Sequence, residues 1–225
     1  GNVPVYYVWS DHDRYADIFY EVEDWNTLAG EPIEETKKSQ FIYGAGEDGA
    51  YGTADDENYY VYSLSMADMA NPDNDDRYSS GFHDQATREF AMDEFVRIAN
   101  TLDNSKPLFI ASHQPLFAKR GDNDYALAWY ECISAVAEHR DVAFFFGHNH
   151  KYDTDVNLNT GGELLPNPYF YPYGSEVKIA YMGTENDKEK GEYRTINFTH
   201  FCAGYLAPTN DSDNDGCYTR RGTLV

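Results

Sequence analysis

The sequence predicts an α/β fold built on a mixed sheet, and three observations carry that expectation. Compact apolar runs bounded by turn residues alternate with helix-like stretches through the middle of the chain, the pattern of layered α/β domains. Further strand-like runs cluster after that alternation, which makes the sheet mixed. Hydrophobic residues fill 41% of the 225 positions and aromatics 16%, enough apolar surface for one sizeable core in a single domain spanning residues 1–225.

Val3 to Trp9 is a compact apolar run that reads as a buried strand, ending in Ser10, Asp11, His12 and Asp13. A helix is expected from Arg14 to about Leu28. Strands are expected at Phe41 to Gly44 and Asn58 to Ser65, joined by a Gly/Asp-rich loop, and a polar loop follows from Asn71 to Ser80. The clearest helix runs from about Phe82 to Leu102, where Ala91, Phe95, Ile98 and Leu102 set one apolar stripe toward a core. Pro107 opens a buried strand, Leu108 to Ala111, that runs into Ser112, His113, Gln114 and Pro115. A second helix is expected from Asp124 to about His139, with Leu127, Tyr130, Ile133 and Val136 or Ala137 on one face. The strand Val142 to Phe146 then leads into Gly147, His148, Asn149 and His150. After an irregular Pro/Tyr-rich loop, strands are expected at Val177 to Met182, Tyr193 to Phe201 and near Thr219 to Val225.

Charge and cysteines narrow the function classes. A formal charge of −22, from 17 Lys+Arg against 39 Asp+Glu, argues against a nucleic-acid duplex as partner, since such binding needs a basic face. A small phosphorylated substrate stays compatible, because bound cations reverse the local sign. No apolar run reaches the ~18 residues of a membrane span. The three cysteines form no Cys-x-x-Cys pair, which excludes a zinc ribbon or thioredoxin-like site. Cys202 and Cys217 flank a loop and either pair as a disulfide in an exported protein or remain free thiols.

Four of the seven histidines stand at the ends of three apolar strands: His12, His113, His148 and His150. Open α/β sheets build their sites in crevices at strand carboxyl ends. In an extended turn, alternate residues point the same way, so His148 and His150 can face one metal cluster. His83, His139 and His200 stand outside any motif and read as surface or packing residues.

These turns resemble the calcineurin-like metallophosphoesterase family. Gly147-His148-Asn149-His150 matches its Gly-His-x-His motif, and Ser112-His113-Gln114-Pro115 is similar to its lone histidine after a strand. Ser10-Asp11-His12-Asp13 is similar to its Gly-Asn-His-Asp/Glu motif, with Ser10 for Gly and Asp11 for Asn. One helix and one strand separate His113 from His148, a spacing that suits the family. The resemblance covers residues 3 to 153 and the trailing strands. It implies a sandwich of two mixed sheets flanked by helices, and hydrolysis of a phosphate mono- or diester by hydroxide at a binuclear metal site. Asp11, His113 and His148 would bind one metal and His150 the other. His12 would act as proton donor or charge stabiliser at the leaving oxygen, with Asp13 orienting it. Mixed imidazole and carboxylate ligands suit Mn, Fe, Zn or Co alike. Asp11 in place of Asn keeps an oxygen ligand and adds charge, which implies a tighter or altered metal preference.

The family's first two motifs, Asp-x-His and Gly-Asp, would precede residue 1. The chain is accordingly expected to lack the family's first strands and to hold a partial site. The alternative is a phosphoesterase-fold binding module, or an inactive fragment, without the front ligands. A lactamase-like metal hydrolase is disfavoured, because its His-x-His-x-Asp-His signature is missing. Asp211, Asp213 and Asp215 copy the opening of a calcium loop, but Gly222 stands where an EF-hand needs Glu; a looser calcium site and a solvated acidic turn are both open. The loop from Glu47 to Glu57 carries the same ambiguity. Tyr169, Phe170, Tyr171 and Tyr173 either line the mouth of the site or pin a long loop to the core. Acidic loops and the cysteine pair lean toward a secreted or envelope protein.

Overall fold

The computed structural model describes residues 8, 38–69, 83–113, 115–116, 125–147, 170–179 and 192–202. Within them, a six-stranded mixed sheet carries two helices, and a two-stranded sheet stands apart from it. Chain order runs β1 (Gln40–Tyr43), β2 (Tyr60–Leu64), α1 (Gln85–Ala99), β3 (Leu108–Ser112), α2 (Ala126–Ala137), β4 (Val142–Phe146), β5 (Phe170–Tyr171), β6 (Glu176–Ile179), β7 (Glu192–Thr195) and β8 (Thr199–Cys202). The large sheet is ordered β1-β2-β3-β4-β8-β5, and β6 pairs with β7. Strands β2, β3, β4 and β8 are parallel, while β1 and β5 close the two edges in antiparallel pairing. The expected α/β class with a mixed sheet is what the chain adopts.

Residue choice explains the layers. In β3 and β4 the alternate residues Leu108, Ile110, Val142, Phe144 and Phe146 are buried in the main core with Trp129, Ile133 and Val136 of α2. The intervening Phe109 and Phe145 are only partly buried and stack edgewise, with Phe145 at 4.1 Å from Phe201 and 5.8 Å from Phe109. Helix α1 starts where Asp84 accepts a hydrogen bond from the N–H of Thr87, satisfying one of the first-turn donors. It ends at Asn100, and the buried Arg140 donates to the carbonyls of Ala99 and Leu102 at 3.1 and 3.0 Å. Ala99 is the last residue of the helix, and its carbonyl has no intrahelical partner.

Three expectations are corrected here. The stripe of α1 that faces the core is Arg88, Met92, Phe95 and Ala99, continued by Leu102; Ala91 and Ile98 sit on its flanks, partly buried. Trp129, absent from the expected face of α2, is its most buried large side chain, whereas Leu127 is only partly buried. The single strand expected from Tyr193 to Phe201 is two strands in different sheets. The break falls at residues 196–198, where Ile196 and Phe198 are buried and Asn197 exchanges hydrogen bonds with Ser134 of α2. Among the described residues no helix is long and apolar enough to cross a membrane.

Candidate functional site

The carboxyl ends of β3 and β4 lie side by side, because the strands pair in unbroken register from Leu108 opposite Val142 to Ser112 opposite Phe146. One residue on, the N–H of Gly147 donates to the carbonyl of His113 at 3.1 Å. The lone-histidine turn therefore meets the residue immediately before His148. Neighbouring strands stand about 4.8 Å apart, so the end of β4 at Gly147 adjoins the His113 turn.

The His113 turn is held at its other end too. Leu116 is fully buried, and its N–H donates to Nε2 of His200 at 3.3 Å. His200, on β8, lies with its ring near-parallel to those of Phe144 and Phe146 at 5.1 and 4.6 Å. Burial pushes its pKa down to about 3, so the imidazole is neutral and Nε2 accepts. His200 is thus a packing residue, as expected, and also the post to which the His113 turn is tied. His139 is exposed, again as expected.

A third feature, at the end of β2, has no counterpart in the sequence reading. Ser65 caps a single 3-10 turn, Met66–Asp68, by accepting from the N–H of Ala67 at 3.1 Å. Asp68 ends that turn with its carboxylate 1% exposed. Oδ2 accepts from the hydroxyl of Ser39 at 2.5 Å and from its N–H at 3.2 Å, while Oδ1 lies 2.7 Å from Nδ1 of His83. Trp129 and Tyr125 bind the same turn from α2, through the carbonyls of Asp68 at 3.0 Å and Met69 at 3.2 Å. His83, expected to be a surface or packing residue, is the partner of a buried carboxylate. The two stand fifteen positions apart in the sequence, and no motif signals the pairing.

The loop before β2 is explained by its own hydrogen bonds. Asp48 accepts from the N–H of Ala50 at 2.8 Å, Asp55 from the hydroxyl of Thr53 at 2.7 Å, and Asp56 from the N–H of Gly52 at 2.9 Å and the hydroxyl of Tyr60 at 2.7 Å. Burial pushes the Asp56 carboxyl upward, but the donations from Tyr60, Gly52 and Thr53 outweigh it and hold it below the usual range. These carboxylates brace a turn. Tyr171 packs against the core beside His200, the pinning role, while Tyr173 lines a cleft of about 330 Å³ with Pro107, Phe109, Arg140, Val142 and Thr199. That cleft lies at the amino ends of β3, β4 and β8, opposite the histidine turns.

Asp11, His12, Asp13, His148, His150, Asp211, Asp213, Asp215, Tyr169 and Cys217 lie outside the described residues, as does the side chain of Cys202. Among the described residues no group of three or more His, Cys, Asp or Glu side chains is gathered to hold a metal ion. No protein-family model, curated protein or solved structure matches the chain.

Proposed function

We propose that this chain is the later part of a metal-dependent phosphoester hydrolase, similar to the calcineurin-like metallophosphoesterases and sharing their two-sheet sandwich. The observation that supports this best is that His113 and Gly147, the residue before His148, stand together at one sheet end, joined by the Gly147–His113 hydrogen bond of 3.1 Å. An imidazole on a strand-end turn, anchored at both sides by the backbone of its neighbours, is the preorganised donor that a metal site needs. His113 has that form, and its donor chemistry fits a borderline divalent cation.

In this reading Asp11, His113 and His148 hold one divalent ion and His150 a second, of the Mn, Fe, Zn or Co kind. Such a pair would polarise the phosphoryl oxygens and lower the pKa of water toward neutrality. The chain's own residues do the rest. His200 and Gly147 fix the His113 turn, and Asp13 orients His12 at the leaving oxygen as proton donor or charge stabiliser. The substrate is a small phosphate mono- or diester.

Elemental analysis and a chromogenic phosphate-ester assay on the full-length polypeptide test this. The wild type should carry two divalent ions per chain and hydrolyse the ester, and His148→Ala should lose both metal and activity. Full activity in His148→Ala would overturn the assigned site. Removing the metal with a chelator should lower the melting temperature, since an ion held at 100 times its Kd contributes about 2.7 kcal/mol to the folded state.

A further inference from the structure

Asp68 is a carboxylate removed from water with three donors on it: the Ser39 hydroxyl, the Ser39 N–H and Nδ1 of His83. An ionised carboxylate can only accept, so Nδ1 of His83 carries a proton. The N–H of His83 is also fixed, donating to the carbonyl of Ala67 at 3.0 Å. Backbone and ring are therefore both pinned. The remaining ring atom, Nε2, has no hydrogen-bond partner among the described residues, and the side chain is 23% exposed. A buried carboxylate that fixes Nδ1 of a histidine and leaves Nε2 to meet solvent or substrate is the arrangement that sets a tautomer for proton transfer.

The place of this pair matters as much as its form. Strand β2 runs parallel to β3 in register, with Leu64 opposite Ser112, so Asp68 and His83 lie beyond the same sheet end as His113. Met69 ties the two ends together, its Sδ accepting from the hydroxyl of Ser112 at 3.2 Å. The end of β2 is one strand from the end of β3 and two from that of β4, about 5 and 10 Å at ordinary strand spacing.

We infer that Asp68 and His83 form a proton-donating pair on the β2 flank of the crevice, with Nε2 of His83 touching the leaving-group oxygen of an alkyl phosphate ester. This rests on the phosphoester-hydrolase reading and deepens it. With Nδ1–H held on Asp68, Nε2 first takes a proton from solvent; as the oxygen of water attacks phosphorus and the P–O bond to the alcohol breaks, that proton passes to the departing oxygen and the alcohol leaves neutral. The attacking water gives one proton to solvent, which replaces the one the ring took. Asp68 is the positioning residue. With the proton coming from His83, the part left to His12 is charge stabilisation. Proton donation matters most where the departing alkoxide is a poor leaving group, so the substrate class is esters of aliphatic alcohols rather than of phenols.

The test compares an aliphatic ester, glycerol phosphate, with p-nitrophenyl phosphate on the metal-loaded full-length protein. In His83→Gln, kcat on glycerol phosphate should fall about 100-fold, the ordinary size of general-acid catalysis, and at least tenfold further than on p-nitrophenyl phosphate. Asp68→Asn should show the same imbalance. Equal losses on both esters, or none, with His148→Ala still inactive, would remove the pair from the reaction and leave the hydrolase intact. A metal-loaded wild type inactive on both esters would remove the hydrolase and the pair together. Should the variants fail to fold, the wild type decides by 15N NMR of its imidazoles: inorganic phosphate should shift the Nε2 signal of His83, and an unmoved signal overturns the inference.

Discussion

A histidine held neutral inside the protein makes acid costly, and His200 is such a residue. Its pKa is pushed down to about 3 by burial, against about 6.5 in an unfolded chain. Below pH 6.5 the unfolded state takes up a proton that the folded state refuses, so stability falls with pH until about pH 3. The slope is about 1.4 kcal/mol per pH unit. Gln keeps an acceptor for the Leu116 N–H without titrating. Between pH 7.5 and 5, urea denaturation should show the wild type losing about 2 kcal/mol more than His200→Gln. Equal losses would show that His200 is not buried as a neutral ring. Asp56 bends the curve the same way at lower pH: its depressed pKa contributes stability above the unfolded carboxylate value that is lost as pH falls through the folded one. Tyr60, which donates to it, has its own pKa pushed up to about 12 by burial and by that carboxylate.

At the scale of elements, the ends of α1 and the loop before β2 carry the sharpest consequences. Arg140 is buried and binds Ala99, Leu102 and the Asn104 side chain, so Arg140→Met would leave the Leu102 carbonyl without its donor. A loss of about 2–3 kcal/mol in a denaturant melt is expected. Gly52 adopts φ +81°, and a Cβ there would lie 2.5 Å from the carbonyl oxygen of Thr101. Gly52→Ala should cost more than about 1 kcal/mol, since both the φ and the contact oppose it; Gly49→Ala, where a Cβ meets nothing, isolates the φ contribution alone. These elements also show what the sequence could convey. Strands β2, β3 and β4 were legible to within two residues at each end, because central parallel strands read as short apolar runs between turns. The α1 stripe was misplaced because its buried row begins with Arg88, whose guanidinium packs 4.1 Å from the Tyr125 ring centroid, a tertiary contact that hydropathy cannot register. Tyr193 to Phe201 read as one strand, and the bonds between Asn197 and Ser134, with those of Ile196 to Gly174 and Ser175, mark where the structure divides it. In the site, the neighbourhood of His113 and Gly147 was legible from strand-end position. The Asp68–His83 pair was not, since nothing local marks a contact between residues fifteen positions apart.

At the scale of the whole molecule, the sheet order decides how the crevice is assembled. The three strands that lead to its histidine turns or to Asp68, β2, β3 and β4, come in chain order and pair with their sequence neighbours. β8 does not: it inserts between β4 and β5 and brings His200 to a residue 84 positions earlier. A chain emerging from the ribosome can therefore lay down β2, β3 and β4 while the outer edge of β4 is still bare and Leu116 has nothing to hold it. Closure waits for residue 202, and so does the fixed pose of His113. Long-range pairings of this kind form late and slowly. Pulse-labelled hydrogen exchange during refolding should protect the amides of Ile110 and Phe144 before that of Leu116. On the proposed reading, the His113 turn would then become native after strands β2, β3 and β4, and a half-made chain could not act before that sheet is shut.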